Sequence, residues 1–145
     1  MLETILVVCE ANMCRSPMAE MIMASRLPGK TIMSAGIYAR PGRPADRTTT
    51  QLMHERGYDL GAHVTTLLTL AHARTAHLIL TMTLDQRSRI ERAYPFTRGK
   101  VYRLGEHDDF DVADPYLQSR AVYEESLAQI EVGIDNWIPG IRKCG

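Results

Sequence analysis

Four short apolar runs recur along the chain: Thr4 to Val8, Thr31 to Ala35, His77 to Met82 and Lys100 to Leu104. They are rich in β-branched residues and too short for helices, the pattern of strands buried on both faces. Segments with helical spacing separate them. Ser16-Pro17 reads as an N-cap and a first helical residue, followed by Met18, Met21, Ile22 and Ser25, with Pro28-Gly29 as the stop. Asp46 reads as the cap of a helix to about Arg56, and a third helix spans Leu84 to Ala93. A final helix places Tyr123, Leu127, Ile130, Ile134 and Trp137 on one face. Strand–helix alternation predicts an α/β protein: a single domain over residues 1–145, with a four-stranded parallel sheet and helices on both faces.

In such sheets ligands bind where strands end and helices begin. The first such turn is Cys9 to Pro17, CEANMCRSP, and it holds two of the three cysteines. Its chemistry is legible. Successive backbone N–H groups of a short loop can form an anion nest, and the helix that follows adds its positive end. Arg15 offers a planar fork for two phosphate oxygens. Cys9, at the base of the loop, lies in an electropositive setting that favours the thiolate, placed for in-line attack on phosphorus. Ser16, next to the arginine, is placed to donate to that sulfur. The loop Cys9, Glu10, Ala11, Asn12, Met13, Cys14, Arg15 is therefore the candidate phosphate-binding loop.

Attack on a phosphate ester also needs a proton donor for the departing oxygen. Asp114-Pro115-Tyr116 follows the fourth apolar run at the same predicted sheet end. Pro115 stiffens the carboxylate's position, and Tyr116 can wall a pocket against an aromatic ring. Asp108, Asp109 and Asp111 are rivals on spacing alone. Tyr38, in the loop after the second strand, is a further wall candidate, and Arg40 and Arg43 are placed to attract an anionic substrate.

The balance of charge and cysteine narrows the classes. Seventeen basic and seventeen acidic residues leave no net field, so nucleic acid is not an expected partner. No apolar run nears the roughly 20 residues of a membrane span, and acidic Glu3 breaks any secretory leader pattern. Few cysteines suit a reducing compartment, so a cytoplasmic protein is expected. Cys9-x4-Cys14 lacks a second ligand pair for zinc. Gly29-Lys30-Thr31 has Ala24 where a nucleotide loop needs glycine. Neither metal nor cofactor is expected.

With these pieces in place, the chain resembles the low-molecular-weight protein tyrosine phosphatases over nearly its whole length. Cys9 to Pro17 and Asp114-Pro115-Tyr116 carry the likeness, supported by Ser34-Ala35-Gly36, Gly61-Ala62-His63 and Leu78 to Met82. The resemblance implies Cys9 as the nucleophile of a phosphocysteine intermediate, Arg15 as clamp, Asp114 as acid and then base, and Ser16 as thiolate stabiliser. It implies Asn12, Ser34 and His63 as the network supporting the loop; asparagine suits a positive φ there. Bacterial members typically oppose a tyrosine autokinase in exopolysaccharide or capsule export, which implies a phosphotyrosine protein as substrate. Cys14 is either apolar filler or a redox partner that protects oxidised Cys9 by a disulfide.

Ala11 stands where the family usually has glycine, Thr66 where an arginine is frequent, and Glu10 where Leu, Val or Thr is common. An outward-pointing Glu10 is expected to repel acidic peptides. Two activities of the same fold compete. A thiol-dependent arsenate reductase needs resolving cysteines in mid-chain, and positions 70 to 100 hold none. A phosphoarginine phosphatase tends to carry a small polar residue at the Met13 position, whereas bulky Met13 suits a flat aromatic ring.

Overall fold

In the computed structural model, which describes residues 2–144, the chain runs β1 (Thr4–Cys9), α1 (Arg15–Arg26), β2 (Thr31–Gly36), α2 (Arg47–Glu55), α3 (Leu70–Thr75), β3 (Leu78–Thr81), α4 (Leu84–Ala93), β4 (Val101–Arg103) and α5 (Arg120–Lys143). Short 3-10 turns cover Pro95–Thr97 and Glu106–Asp108. All three strand pairings are parallel, in the order β2-β1-β3-β4. The four expected strands form within a residue or two of their predicted ends.

Alternation along β1 divides the core. Ile5, Val7 and Cys9 pack with α1, α2 and α5 on one face, while Leu6 and Val8 join Ile79, Ile90 and Val101 on the other. The α5 stripe behaves as its spacing predicts: Tyr123, Leu127, Ile130 and Ile134 are buried. Trp137, half-buried, donates its indole N–H to the Leu104 carbonyl at 2.9 Å. That bond lets a large ring sit at the core's edge without an orphaned donor. Gly133 makes the close approach possible, since a Cβ there would lie 2.8 Å from the Leu104 carbonyl oxygen.

Strand order fixes where a ligand can sit. The chain leaves β1 for α1 on one face and leaves β3 for α4 on the other, so the loops diverge at the β1/β3 boundary. That divergence opens a crevice at the carboxyl ends of the strands. The loop Cys9 to Arg15 occupies it.

One local expectation needs correction, and one element was not expected. Helix α1 begins at Arg15 with Cys14 as its N-cap residue, and no side chain caps it. Ser16 is therefore the second helical residue, and its hydroxyl serves the Cys9 sulfur instead of the helix end. Pro17 becomes the third; its missing N–H is harmless there because the first four helical N–H groups have no intrahelical acceptor. Helix α3 was not expected from periodicity, because six residues are too few to show one. Its signal is local: Thr69 and His72 form a reciprocal capping pair.

Candidate active site

The loop after β1 bends back over the strand end because Asn12 takes a left-handed φ of 59°. Gly36, at the end of β2, permits this: a Cβ there would meet the Glu10 carbonyl oxygen at 2.7 Å and the Asn12 nitrogen at 2.8 Å. Left-handed backbone is unfavourable for most side chains, and Asn12 is held in it by a complete set of partners. Its Nδ2 donates to Ser16 Oγ at 2.8 Å and to Ser34 Oγ at 2.9 Å. Its Oδ1 accepts the Thr66 N–H at 2.9 Å, and its carbonyl receives His63 Nε2 at 2.9 Å. Thus Asn12, Ser34 and His63 are brought together, with no side-chain hydrogen-bonding site of the fully buried asparagine left wholly unused.

Cys9 Sγ lies at the base of this loop, 2.9 Å from Ser16 Oγ and 3.3 Å from the Asn12 amide nitrogen, which donates to it. Arg15, only 4% exposed, donates from Nη1 to the Val112 carbonyl at 3.1 Å. Its Nη2 stands 3.6 Å from Asp114 Oδ2. One arm of the fork is thereby anchored, and the other faces the carboxylate across the cleft. Arg15 joins the β1 loop to the loop before α5, although 97 residues separate its bonded partner in sequence.

The cleft, about 840 Å³, is lined by Cys9, Glu10, Ala11, Met13, Cys14, Arg15, and by Tyr38, Asp114, Tyr116 and Leu117. All three expected wall residues, Met13, Tyr38 and Tyr116, are there. Arg40, Arg43 and Arg47 complete the lip. A second depression against α2, near His54 and Asp59, shares Arg47 with the lip but contains neither Cys9, Arg15 nor Asp114.

Tertiary contacts separate the four candidate aspartates. Asp109 and Asp111 pair with Arg103, and Asp108 accepts from Asn136 Nδ2 at 2.9 Å. Asp114 alone of the four lines the cleft. Its Oδ1 accepts the Tyr116 N–H at 3.2 Å, so the turn itself orients the carboxylate. The loop is pinned on both sides, because Val112 N–H donates to the Met82 carbonyl and Ala113 N–H to Gln129 Oε1.

Glu10 corrects the expectation of a free rim charge. Its carboxylate accepts two-pronged hydrogen bonds from Arg89 at 2.9 to 3.1 Å and one from Gln86 Nε2 at 2.8 Å. Paired in this way it presents little net field to an acidic peptide. Sequence reasoning also missed Glu20, whose Oε1 accepts the Ser34 hydroxyl at 2.6 Å and lies 4.0 Å from His63 Nδ1. Its only signal was its place one helical turn beyond Ser16 on α1. Cys14 is buried, and burial pushes its thiol up to about 12 against a lowering hydrogen bond with Thr49. It is held as a neutral thiol.

The arrangement has the parts for phosphoryl transfer: a sulfur at the base of the loop, a guanidinium that lines the same cleft, and a carboxyl group 3.6 Å from that guanidinium. Among the described residues, no group of three His, Cys, Asp or Glu side chains is placed to hold a metal ion.

Comparison with known proteins agrees with this geometry. Residues 4–144 match the family model described as low molecular weight phosphotyrosine protein phosphatase. The chain is 43% identical over 145 residues, the full length of both, to the "Probable low molecular weight protein-tyrosine-phosphatase EpsP" of Ralstonia nicotianae. It superposes on the tyrosine phosphatase Wzb of Escherichia coli K30 in complex with sulphate with a TM-score of 0.92, at 33% identity and with all of both chains covered. The YwlE arginine phosphatase of Geobacillus stearothermophilus is also similar, with a TM-score of 0.90 and 30% identity, covering 97% of this chain and 94% of that one. By sequence and by fold, the chain belongs to the low molecular weight phosphotyrosine protein phosphatases.

Proposed function

We propose that this protein hydrolyses phosphotyrosine through a phosphocysteine formed on Cys9, with Arg15 as phosphate clamp and Asp114 as acid and base. The observation that carries the reading is the sulfur's position, with the Ser16 hydroxyl at 2.9 Å and the Asn12 N–H at 3.3 Å behind it. In the first step Cys9 Sγ attacks phosphorus, and the bond to the tyrosyl oxygen breaks. The Asp114 carboxylic acid gives that oxygen its proton, and phenol leaves. In the second step Asp114, now a carboxylate, takes a proton from water as the water attacks phosphorus. The P–S bond breaks, its electron pair returns to sulfur, and inorganic phosphate leaves. Arg15 and the loop N–H groups hold the equatorial oxygens throughout, where charge accumulates. Asn12, Ser34 and His63 keep the loop in its left-handed form.

Phosphotyrosine is favoured over phosphoarginine by the walls. Met13, Tyr38 and Tyr116 present apolar and aromatic surface for a flat ring. Arsenate reduction has little support, since the only other cysteine beyond the loop is exposed Cys144. We infer that the physiological substrate is a phosphotyrosine protein, a tyrosine autokinase or its target in exopolysaccharide production, acting in the cytoplasm. Likeness to the family supports the partner, and three unpaired cysteines suit the compartment.

The test is hydrolysis of aryl phosphates in the presence of a chelator. Cys9→Ser is expected to lose turnover by several orders of magnitude, and Asp114→Asn to slow phenols of high pKa far more than those of low pKa. Near wild-type turnover in Cys9→Ser refutes the mechanism, and an equal loss for all leaving groups removes Asp114 as the acid.

A further inference from the structure

Tyr38 is 72% exposed, yet it lines the cleft where an aromatic substrate ring would enter. An exposed side chain has little packing to fix its rotamer, so a useful wall needs another restraint. Two are present. The Tyr38 N–H donates to the Glu10 carbonyl at 2.8 Å, which sets the backbone. The Arg89 guanidinium lies 5.0 Å from the centroid of the Tyr38 ring, which gives the ring a face to rest on.

Arg89 is itself immobilised. It grips the Glu10 carboxylate with two nitrogens and meets Asp85 at 3.1 Å on its own helix. Gln86, 1% exposed, holds the other side of Glu10, while its Oε1 accepts the Met82 and Thr83 N–H groups. The result is a continuous set of contacts from the β3–α4 turn through Gln86, Glu10 and Arg89 to Tyr38. Arg89 is outside the cleft lining, and two carboxylates satisfy its charge. Direct phosphate binding therefore does not account for it.

We propose that Arg89 is a positioning residue for the aromatic part of the substrate: by bracing the Tyr38 ring while holding Glu10, it locks the pocket wall to the phosphate loop. This rests on the phosphotyrosine reading and assigns a purpose to the unusual Glu10. The pairing gives the loop an acidic residue whose charge is consumed in building the wall. A phosphate ester without a ring gains nothing from it.

The experiment compares inorganic phosphate and benzylphosphonate as competitive inhibitors of aryl phosphate hydrolysis, in wild type, Arg89→Ala, Tyr38→Ala and the double variant. Arg89→Ala is expected to weaken benzylphosphonate about two- to fivefold, the range of an exposed cation–ring contact, with inorganic phosphate altered less than the scatter between replicates. Tyr38→Ala weakens benzylphosphonate at least as much, and adding Arg89→Ala to it brings no further loss. Glu10→Leu, which removes the anchor but leaves the arginine, shows the same preference for loss of the aromatic probe. Equal losses for both probes in Arg89→Ala overturn the proposal, because they report a distorted loop. So do additive losses in the double variant, or unchanged benzylphosphonate inhibition. If neither anion inhibits the wild type, the phosphotyrosine reading fails first and the inference falls with it.

Discussion

Asn12 Nδ2 donates to Ser16 Oγ at 2.8 Å, and this bond determines which way the Ser16 hydroxyl points. With its oxygen accepting from Asn12, the single Ser16 proton is free for the Cys9 sulfur 2.9 Å away. The same logic orients Ser34, which accepts from Asn12 and donates to Glu20. It also orients His63: a ring nitrogen facing the Asn12 carbonyl must carry a proton, so Nε2 is the protonated one. One asparagine thus organises the hydroxyl protons behind the nucleophile.

Ser16→Ala removes a hydrogen bond to a sulfur that is anionic when it attacks and again when it leaves. Bonds to charged groups are worth about 1.5–3 kcal/mol, so kcat is expected to fall roughly 10- to 100-fold. The loss should appear in phosphoenzyme breakdown, where sulfur is the leaving group, and rapid-quench measurements should show phosphocysteine accumulating. An unchanged kcat contradicts the assignment.

The cleft lip carries Arg40, Arg43 and Arg47, and none of them forms an ion pair among the described residues. A phosphotyrosine peptide with acidic neighbours is expected to be favoured over one with neutral neighbours, by roughly tenfold in kcat/KM at low salt. Salt should erase the preference, because these charges are exposed to screening. Replacing the three arginines by alanine should remove it without changing kcat/KM for a small aryl phosphate by a comparable factor. A peptide preference that survives both treatments places acidic recognition elsewhere.

Cys14 gives a pH signature. Burial raises its thiol from 9.0 to about 12 in the folded protein. Between those values the unfolded chain has released a proton that the folded chain keeps, so stability falls as pH rises through this window. Below pH 9 the group contributes no pH dependence. The slope from this group is at most about 1.4 kcal/mol per pH unit. Tyr123, also pushed up to about 12 by burial and by Asp46, adds a slope of the same sign from its own ordinary value near 10.0. Urea midpoints of wild type and Cys14→Val between pH 9 and 10 isolate the cysteine, and the variant should lose the steeper part of the decline. Parallel curves contradict a thiol buried in this way.

Much of the site was legible because its chemistry is local. Cys9, Arg15 and Ser16 lie on one strand–loop–helix turn, where residue type and spacing prescribe the geometry. β1, β2, β3 and α5 were also readable, since burial on both faces leaves a continuous apolar run and burial on one face of a helix leaves a stripe. Length limits such reading, and α3, with six residues, fell below it. The Ser16 role illustrates a different limit: serine before proline has two uses, cap or donor, and only the position of Cys9 Sγ selects the second.

The sequence by itself determined an α/β sheet and a sulfur-and-arginine loop at a strand end, because both are written in residues near each other. Spacing left four aspartates as rivals, and the tertiary structure separates them: Arg103 at the end of β4 holds Asp109 and Asp111, Asn136 on α5 holds Asp108, and Asp114 is left to line the cleft. The tertiary structure also decided what Glu10 is for. A lone carboxylate beside a phosphate site reads as repulsion, and folding supplies Arg89, 79 residues away, to neutralise it and to brace Tyr38. Charge is a property of a residue, but its effect depends on the partner that the fold places beside it.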